Sequence, residues 1–307
     1  MSHPVNEANL HTIPRPRKTS CVVTWLKWCF AVLNRVSPRW GARLAYRLWF
    51  TSPRFDEPER ERRWREKAHS FFLPHEHGPL AVYQWGQGPA VVLVHGWSGR
   101  GAQLGAFAQP LVQRGFSVVA FDAPGHGQSQ GKQTNVFEVA AALAAVAEKT
   151  GPVCAIIAHS FGTMATTLAI QQGLQLDKVV CISAPTSGLF LVDSFCETFA
   201  LSQTTMTLFK HRLEKEFGTD LWQRIASDQQ VTNSRIPALI IHDKDDRDVP
   251  WQWSEHLAKA WPSSHLWLTH GLGHRRILRN PAVVDAVSEF IVSGQLPKEA
   301  LSDRESP

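Results

Sequence analysis

The sequence predicts an α/β protein: a mostly parallel sheet covered by helices on both faces, with a helical cap insertion and a helical N-terminal extension. Three observations carry this. Short, uninterrupted apolar runs recur between residues 90 and 269, as strands buried on both faces require. Stretches with apolar residues at helical spacing separate them. The 307 residues are 43% hydrophobic and 19% charged, which suits one large domain with an appendage.

Residues 1–19 are polar and proline-bearing. They read as a disordered tail with no secretory apolar core. From Ser20, apolar residues fall at 22, 25, 26, 29, 30, 33 and 36, which is helical spacing. Ser37-Pro38 reads as an N-cap and first helical residue, opening a second helix to about Phe50. That helix aligns Arg39, Arg43 and Arg47. A third, highly charged helix is expected over 59–68. Residues 1–75 therefore form a basic, Trp-rich helical extension. They hold 14 Lys/Arg against 6 Asp/Glu, whereas 76–307 hold 18 against 21. The net charge of +5 thus belongs to the first quarter.

From residue 76 the pattern becomes that of the main domain, expected to end near 295 with a flexible tail at 296–307. "LAVYQWG" (80–86) alternates like a half-exposed strand, and "AVVLVHG" (90–96) is a buried one. Further strands are expected at 116–121, 153–158, 178–183, 237–242 and 265–269. Helices are expected at 101–114, 136–149, 161–172, 251–261 and 281–293. Residues 186–232 interrupt the alternation with amphipathic helical pattern, read as a cap over the carboxyl edge of the sheet.

Composition excludes several classes. The five cysteines are scattered without a C-x-x-C pair, so neither a disulfide framework nor a zinc site is expected, and a reducing, cytoplasmic compartment is. The most apolar early run, residues 21–33, is too short to span a bilayer and contains Lys27. "GWSGRG" (96–101) lacks the phosphate-loop form. No metal, other cofactor or nucleic acid is expected.

Ligands of open parallel sheets bind beyond the carboxyl ends of the strands, so chemistry is sought there. "AHSFG" (158–162) follows an apolar run and precedes a helical one. It departs from G-x-S-x-G by carrying Ala158. A serine hydroxyl needs a base to take its proton and a carboxylate to orient that base. On a strand–turn–helix elbow these follow in the order Ser, Asp/Glu, His. Ser160, then one of Asp243, Asp245, Asp246 or Asp248, then His274 or its rival His270, meet that order.

"VVLVHGWSG", "FDAPGHGQS", "AHSFG", "ALIIHDKDDRDVP" and "GLGHRRIL" together resemble the α/β-hydrolase family over residues 80–293. The resemblance implies the α/β-hydrolase fold and a serine-hydrolase mechanism with an oxyanion hole. It implies Ser160 as nucleophile, Asp246, four residues before Pro250, as acid, and His274 as base. The other aspartates are then expected to point elsewhere and to cost little when changed. It implies the backbone N–H groups of Trp97 and Phe161 as oxyanion donors. His95, Asp122 and His126 are expected to tie down loops, and His159 to line the pocket or pack locally. The expected substrate is a small or medium apolar carboxylic ester. A thioester, lipid or acyl-transfer substrate, or a non-catalytic binding role, is the alternative. Two readings stand for the first two helices: they roof the hydrolase domain, or they lie on the inner face of an anionic membrane.

Overall fold

A computed structural model describes residues 21–295; the expected disordered N-terminal stretch and the tail at 296–307 lie outside the described residues. The strands are β1 (His69–Leu73), β2 (Leu80–Trp85), β3 (Ala90–Val94), β4 (Ser117–Phe121), β5 (Val153–His159), β6 (Leu176–Ile182), β7 (Ala238–Asp243) and β8 (Ser264–Thr269). They form one eight-stranded sheet in the order β1-β2-β4-β3-β5-β6-β7-β8. The β1–β2 and β2–β4 pairs are antiparallel, and every pair from β4 to β8 is parallel.

The period of two along each strand divides the core. On one face Val92, Val94, Ile156, Ala158, Val179 and Cys181 meet the helices α5 (Val136–Thr150) and α6 (Phe161–Gln171). On the other, Val91, Leu93, Ile157, Val180 and Ile241 meet α4 (Ala108–Gln113) and the C-terminal helix Pro281–Ser293. Both faces are covered, which is why these strands read as continuous apolar runs.

Three elements depart from the sequence reading. β2, read as half-exposed, is buried from Leu80 to Tyr83, because it lies between β1 and β4 rather than at the sheet edge. β1 was not expected, and it lies within the stretch read as a helical extension, so the sheet begins before residue 76. As an edge strand with Phe71 and Leu73 only half-buried, its "HSFFL" carries little pattern. The helix expected over 101–114 is a 3-10 turn, Gly101–Phe107, followed by α4. Glycine weakens an α-helix, and here it is required. A Cβ on Gly105 would lie 2.7 Å from the Trp64 ring of α3 (Glu59–Glu66).

Between β6 and β7 come α7 (Gly188–Thr198), α8 (Gln203–Phe217) and the short α9 (Leu221–Arg224) and α10 (Ser227–Gln230). The hydroxyls of Ser187 and Ser202 accept from the amides of Phe190 and Thr205, capping α7 and α8. Against these helices pack α1 (Cys21–Val36) and α2 (Pro38–Phe50). Gly41, Ala42 and Ala45 are buried on α2, and their small size lets α8 come close. Asn34 accepts from Ser202 N and Thr205 Oγ1 and donates to Ala200 O. Phe30 sits on Phe199 (5.8 Å between ring centres), Trp49 on Phe195 (5.4 Å) and Phe50 on Phe217 (5.7 Å).

Burying a side chain such as Phe30 contributes roughly 1.5–3 kcal/mol, so removing both helices costs the cap several such contacts. Deleting residues 1–50 is expected to lower the melting temperature, raise dye binding to apolar surface and cause aggregation in size-exclusion chromatography. A monomeric truncation with unchanged melting would show that this packing contributes little.

Candidate active site

The chain leaves β3 for β4 on one side and returns to β5 on the other. This reversal opens a crevice at the carboxyl ends of β3 and β5. His95 to Ser98 follow β3, and Ser160 follows β5.

Ser160 sits between strand and helix at φ 53°, ψ −126°, where non-glycine residues are rare. The Ser160 amide donates to Ile182 O at 2.8 Å, and its carbonyl accepts from Thr163 N at 2.8 Å. Small neighbours make the turn fit. A Cβ on Gly162 would lie 2.6 Å from His95 O, and one on Gly96 would lie 2.9 Å from Ser160 Cβ. Ala158, where the pattern has glycine, is fully buried in β5 beside Val94 and Cys181, and its methyl group belongs to the core.

The three side chains expected to act together are in contact. Ser160 Oγ lies 3.0 Å from His274 Nε2, and His274 Nδ1 lies 2.7 Å from Asp246 Oδ2. These partners set the tautomer: Nδ1–H donates to the carboxylate, and Nε2 accepts from the hydroxyl. Asp246 Oδ1 accepts from the amides of Asp248 and Val249. Burial pushes the Asp246 carboxyl up, but hydrogen bonds and charge from His242 and His274 outweigh it and hold the group well below the usual carboxylate range.

His242 was not singled out in the sequence. It is fully buried at the end of β7, with Nε2 3.2 Å from Asp246 Oδ2 and 3.0 Å from Val249 O. Its Nδ1 meets Ser254 Oγ at 2.6 Å. Only its place in the strand ending "IIHD" hinted that it turns toward the loop carrying the acid.

The neighbouring aspartates divide the remaining work. Asp243 Oδ1 accepts from Asp245 N and Gly273 N, and Oδ2 from Thr269 Oγ1 and Leu272 N. Against burial, which raises it, these donors draw its carboxyl below the usual value. Asp243 thus anchors the loop that carries His274, contrary to the expectation that changing it would cost little. Asp245 Oδ2 accepts from Gly271 N, and Asp248 meets Asp246 through its amide. His270 is exposed at the end of β8. His159 donates from Nε2 to His274 O at 2.9 Å; burial, with His274 beside it, holds its imidazole neutral well below the usual value.

His95 and His126 fasten the loops beside Trp97. His95 Nδ1–H donates to Gly96 O, and its Nε2 accepts from Ala123 N. His126 Nδ1–H donates to Pro124 O, and its Nε2 accepts from Ser98 N. Asp122 accepts from Tyr83 Oη and the amides of Gly101 and Gln128, while burial pushes its carboxyl up. Burial lowers His95 to about 4 and His126 to about 3. Among the described residues the amides of Trp97 and Phe161 donate to no protein acceptor. Their rings meet edge to face at 5.2 Å.

Ser160 borders two cavities. One, of about 510 Å³, is apolar. Met164, Phe161, Trp49 of α2, Leu26 of α1 and the cap residues Phe195 and Trp222 are among its walls. The other, of about 640 Å³, also touches His274 and holds Arg60, Arg100, Arg275 and Arg279 with Glu61 and Asp248.

The sheet order, cap and elbow define an α/β hydrolase architecture. Residues 91–287 match the model of the alpha/beta hydrolase family, and the chain belongs to that family. It is 28% identical over 150 residues to pimeloyl-[acyl-carrier protein] methyl ester esterase of Nitrosospira multiformis, a match covering 46% of this chain and 55% of that enzyme. The lysophosphatidylserine lipase ABHD12 of Danio rerio is 23% identical over 323 residues, covering 88% of this chain and 82% of the lipase. Among solved structures, an esterase from Exiguobacterium antarcticum superposes with a TM-score of 0.58 at 16% identity, over 73% of this chain and 100% of that one.

Three of the buried histidines make stability depend on pH. His95, His126 and His159 are held neutral in the fold and take up protons on unfolding. Their contribution is complete above the ordinary histidine value of 6.5 and falls with pH, down to about 4 for His95 and about 3 for His126. Each adds up to about 1.4 kcal/mol per pH unit inside its window. Urea titrations across that window should show stability declining with acid, and His126→Gln should remove about one proton from the slope. An unchanged slope in that variant would mean that His126 is not held neutral.

Proposed function

We propose that this chain is a serine hydrolase that cleaves a carboxylic ester through an acyl-enzyme on Ser160. The observation that carries the reading is the unbroken hydrogen-bonded line from Ser160 through His274 to Asp246, ending on the apolar cavity. His274 Nε2 takes the hydroxyl proton as Ser160 Oγ attacks the carbonyl. Asp246 keeps the imidazole in the productive tautomer and stabilises its protonated form. The amides of Trp97 and Phe161 receive the developing oxyanion, Phe161 with the help of the α6 N-terminus. The protonated imidazole then gives its proton to the leaving alcohol. Water, activated by the same base, releases the acid.

A cavity of about 510 Å³ falls within the usual ligand-site range of roughly 300–1,000 Å³. We assign it to the acyl group, and the polar cavity beside His274 to the alcohol. The names of the two relatives, a methyl ester esterase and a lipase, support an ester as the bond cleaved. An apolar acyl site favours longer chains by up to about 0.8 kcal/mol per buried methylene.

A fluorophosphonate is expected to label Ser160 covalently, and p-nitrophenyl octanoate to be hydrolysed with higher kcat/KM than the acetate. Ser160→Ala should abolish labelling and turnover while keeping its fold by circular dichroism. Labelling that persists in that variant would overturn the reading.

The two buried aspartates should separate by what they lose. Asp246→Asn is expected to reduce kcat by up to ~10,000-fold, as an acid-to-amide change does in a serine protease triad, with the loop intact. Asp243→Asn should lower the melting temperature as well as activity, because an amide nitrogen would face the Leu272 or Gly273 N–H. Full activity in Asp246→Asn, measured in the same ester assay, would assign the acid elsewhere.

A further inference from the structure

We infer that the outer face of α1, continued by the start of α2, docks on a bilayer containing anionic phospholipid and turns the mouth of the apolar cavity toward it. Val22, Trp25, Trp28, Val32 and Val36 follow at three- and four-residue steps, so they share one helix face. Val22 is 65% exposed, Trp25 64%, Trp28 71%, Val32 57% and Val36 76%, and Trp40 of α2 adds a further indole at 60%. The opposite face, with Phe30 and Asn34, is already spent on the cap. An exposed apolar face of this size marks an interaction surface.

Charge selects lipid over a second protein. No Asp or Glu occurs from Cys21 to Phe55, where Lys27, Arg35, Arg39, Arg43, Arg47 and Arg54 all fall. Arg39, Arg43 and Arg47 are exposed in a row along α2. Arg43 stacks on the Trp40 ring at 4.7 Å. An indole with a guanidinium beside it suits the headgroup layer, where the ring sinks and the cation meets phosphate. No helix among the described residues is long and apolar enough to cross a membrane, so the contact is peripheral. Continuity with the cavity gives the face a purpose. Val22 lies both on the exposed face and on the cavity wall, with Leu26 one turn further in. An acyl chain leaving the bilayer beside α1 would meet apolar surface down to Ser160.

The test is flotation of the full chain with vesicles of phosphatidylcholine alone or mixed with phosphatidylglycerol. Binding is expected to the mixed vesicles at low salt and to weaken at high salt. Trp25→Ala with Trp28→Ala, and separately Arg39→Glu with Arg43→Glu, should each reduce it by about tenfold or more. Both variants should keep wild-type turnover of a soluble short-chain ester, which reports their folding. Ser160→Ala should float like wild type, so this result stands apart from the proposed chemistry. Absent flotation at low salt, equal binding to both vesicles, or variants that float like wild type would each overturn the inference. So would a dimer in sedimentation velocity that the tryptophan variant dissolves, because the face would then be a self-association surface.

Discussion

The backbone turn at Ser160 is the constraint on which its surroundings depend. A positive φ on a serine costs of order 1–3 kcal/mol, and it persists only because neighbouring strands over-determine it. The amide is tied to the end of β6, and the carbonyl to the first turn of α6. Gly162 must lack a side chain because β3 ends against it. Ser98, in the loop after β3, and Ser183, just after β6, share the same backbone sign at φ 55°. Of the four non-glycine residues with positive φ among the described residues, these two and Ser160 lie on the segments that follow strands at the crevice, and the fourth, Ala200, lies in the cap.

Electrostatics then treats two sets of buried ionisable groups in opposite ways. Asp246 is surrounded by donors, so its charged form is the stable one despite burial. His95, His126 and His159 are kept neutral by burial, and in that state each can accept as well as donate. A charged His95 or His126 would turn its acceptor nitrogen into a donor facing another N–H, from Ala123 or Ser98. Both loops flanking Trp97 would loosen. The charge of the proposed acid and the neutrality of the loop histidines are therefore parts of one arrangement.

Much of this was legible in the sequence because it rests on local pattern. Strands buried on both faces announce themselves as apolar runs, and the Ser–Asp–His order places Ser160, Asp246 and His274 after separate strands. Their hydrogen-bonded contact agrees with that order. What was not legible depended on partners distant in the chain. β1 gains its place only by pairing with β2. The turn at 101–107 brings Gly105 against Trp64, and no local spacing records that contact. The sequence offers Asp243 only as one of four candidate acids and His242 only as a strand-end residue. Their roles come from Leu272, Gly273 and Ser254, which the sheet brings to them.

The N-terminal helices carry the features that both sequence readings ask for. A helix that only roofs a domain needs one apolar face, and α1 has that face in Phe30, Leu26 and Leu33. A helix that only lies on lipid also needs one apolar face, with cations at its border. α1 carries both sets, and α2 separates its own functions in the same way: Gly41, Ala42 and Ala45 toward α8, Arg39, Arg43 and Arg47 away from it. Roofing the cap and presenting a cationic, tryptophan-rich surface are therefore not competing uses of the same residues. The packing against Phe195, Phe199 and Phe217 fixes the angle at which the outer face is held. The cavity wall formed by Val22, Leu26 and Trp49 lies between the two.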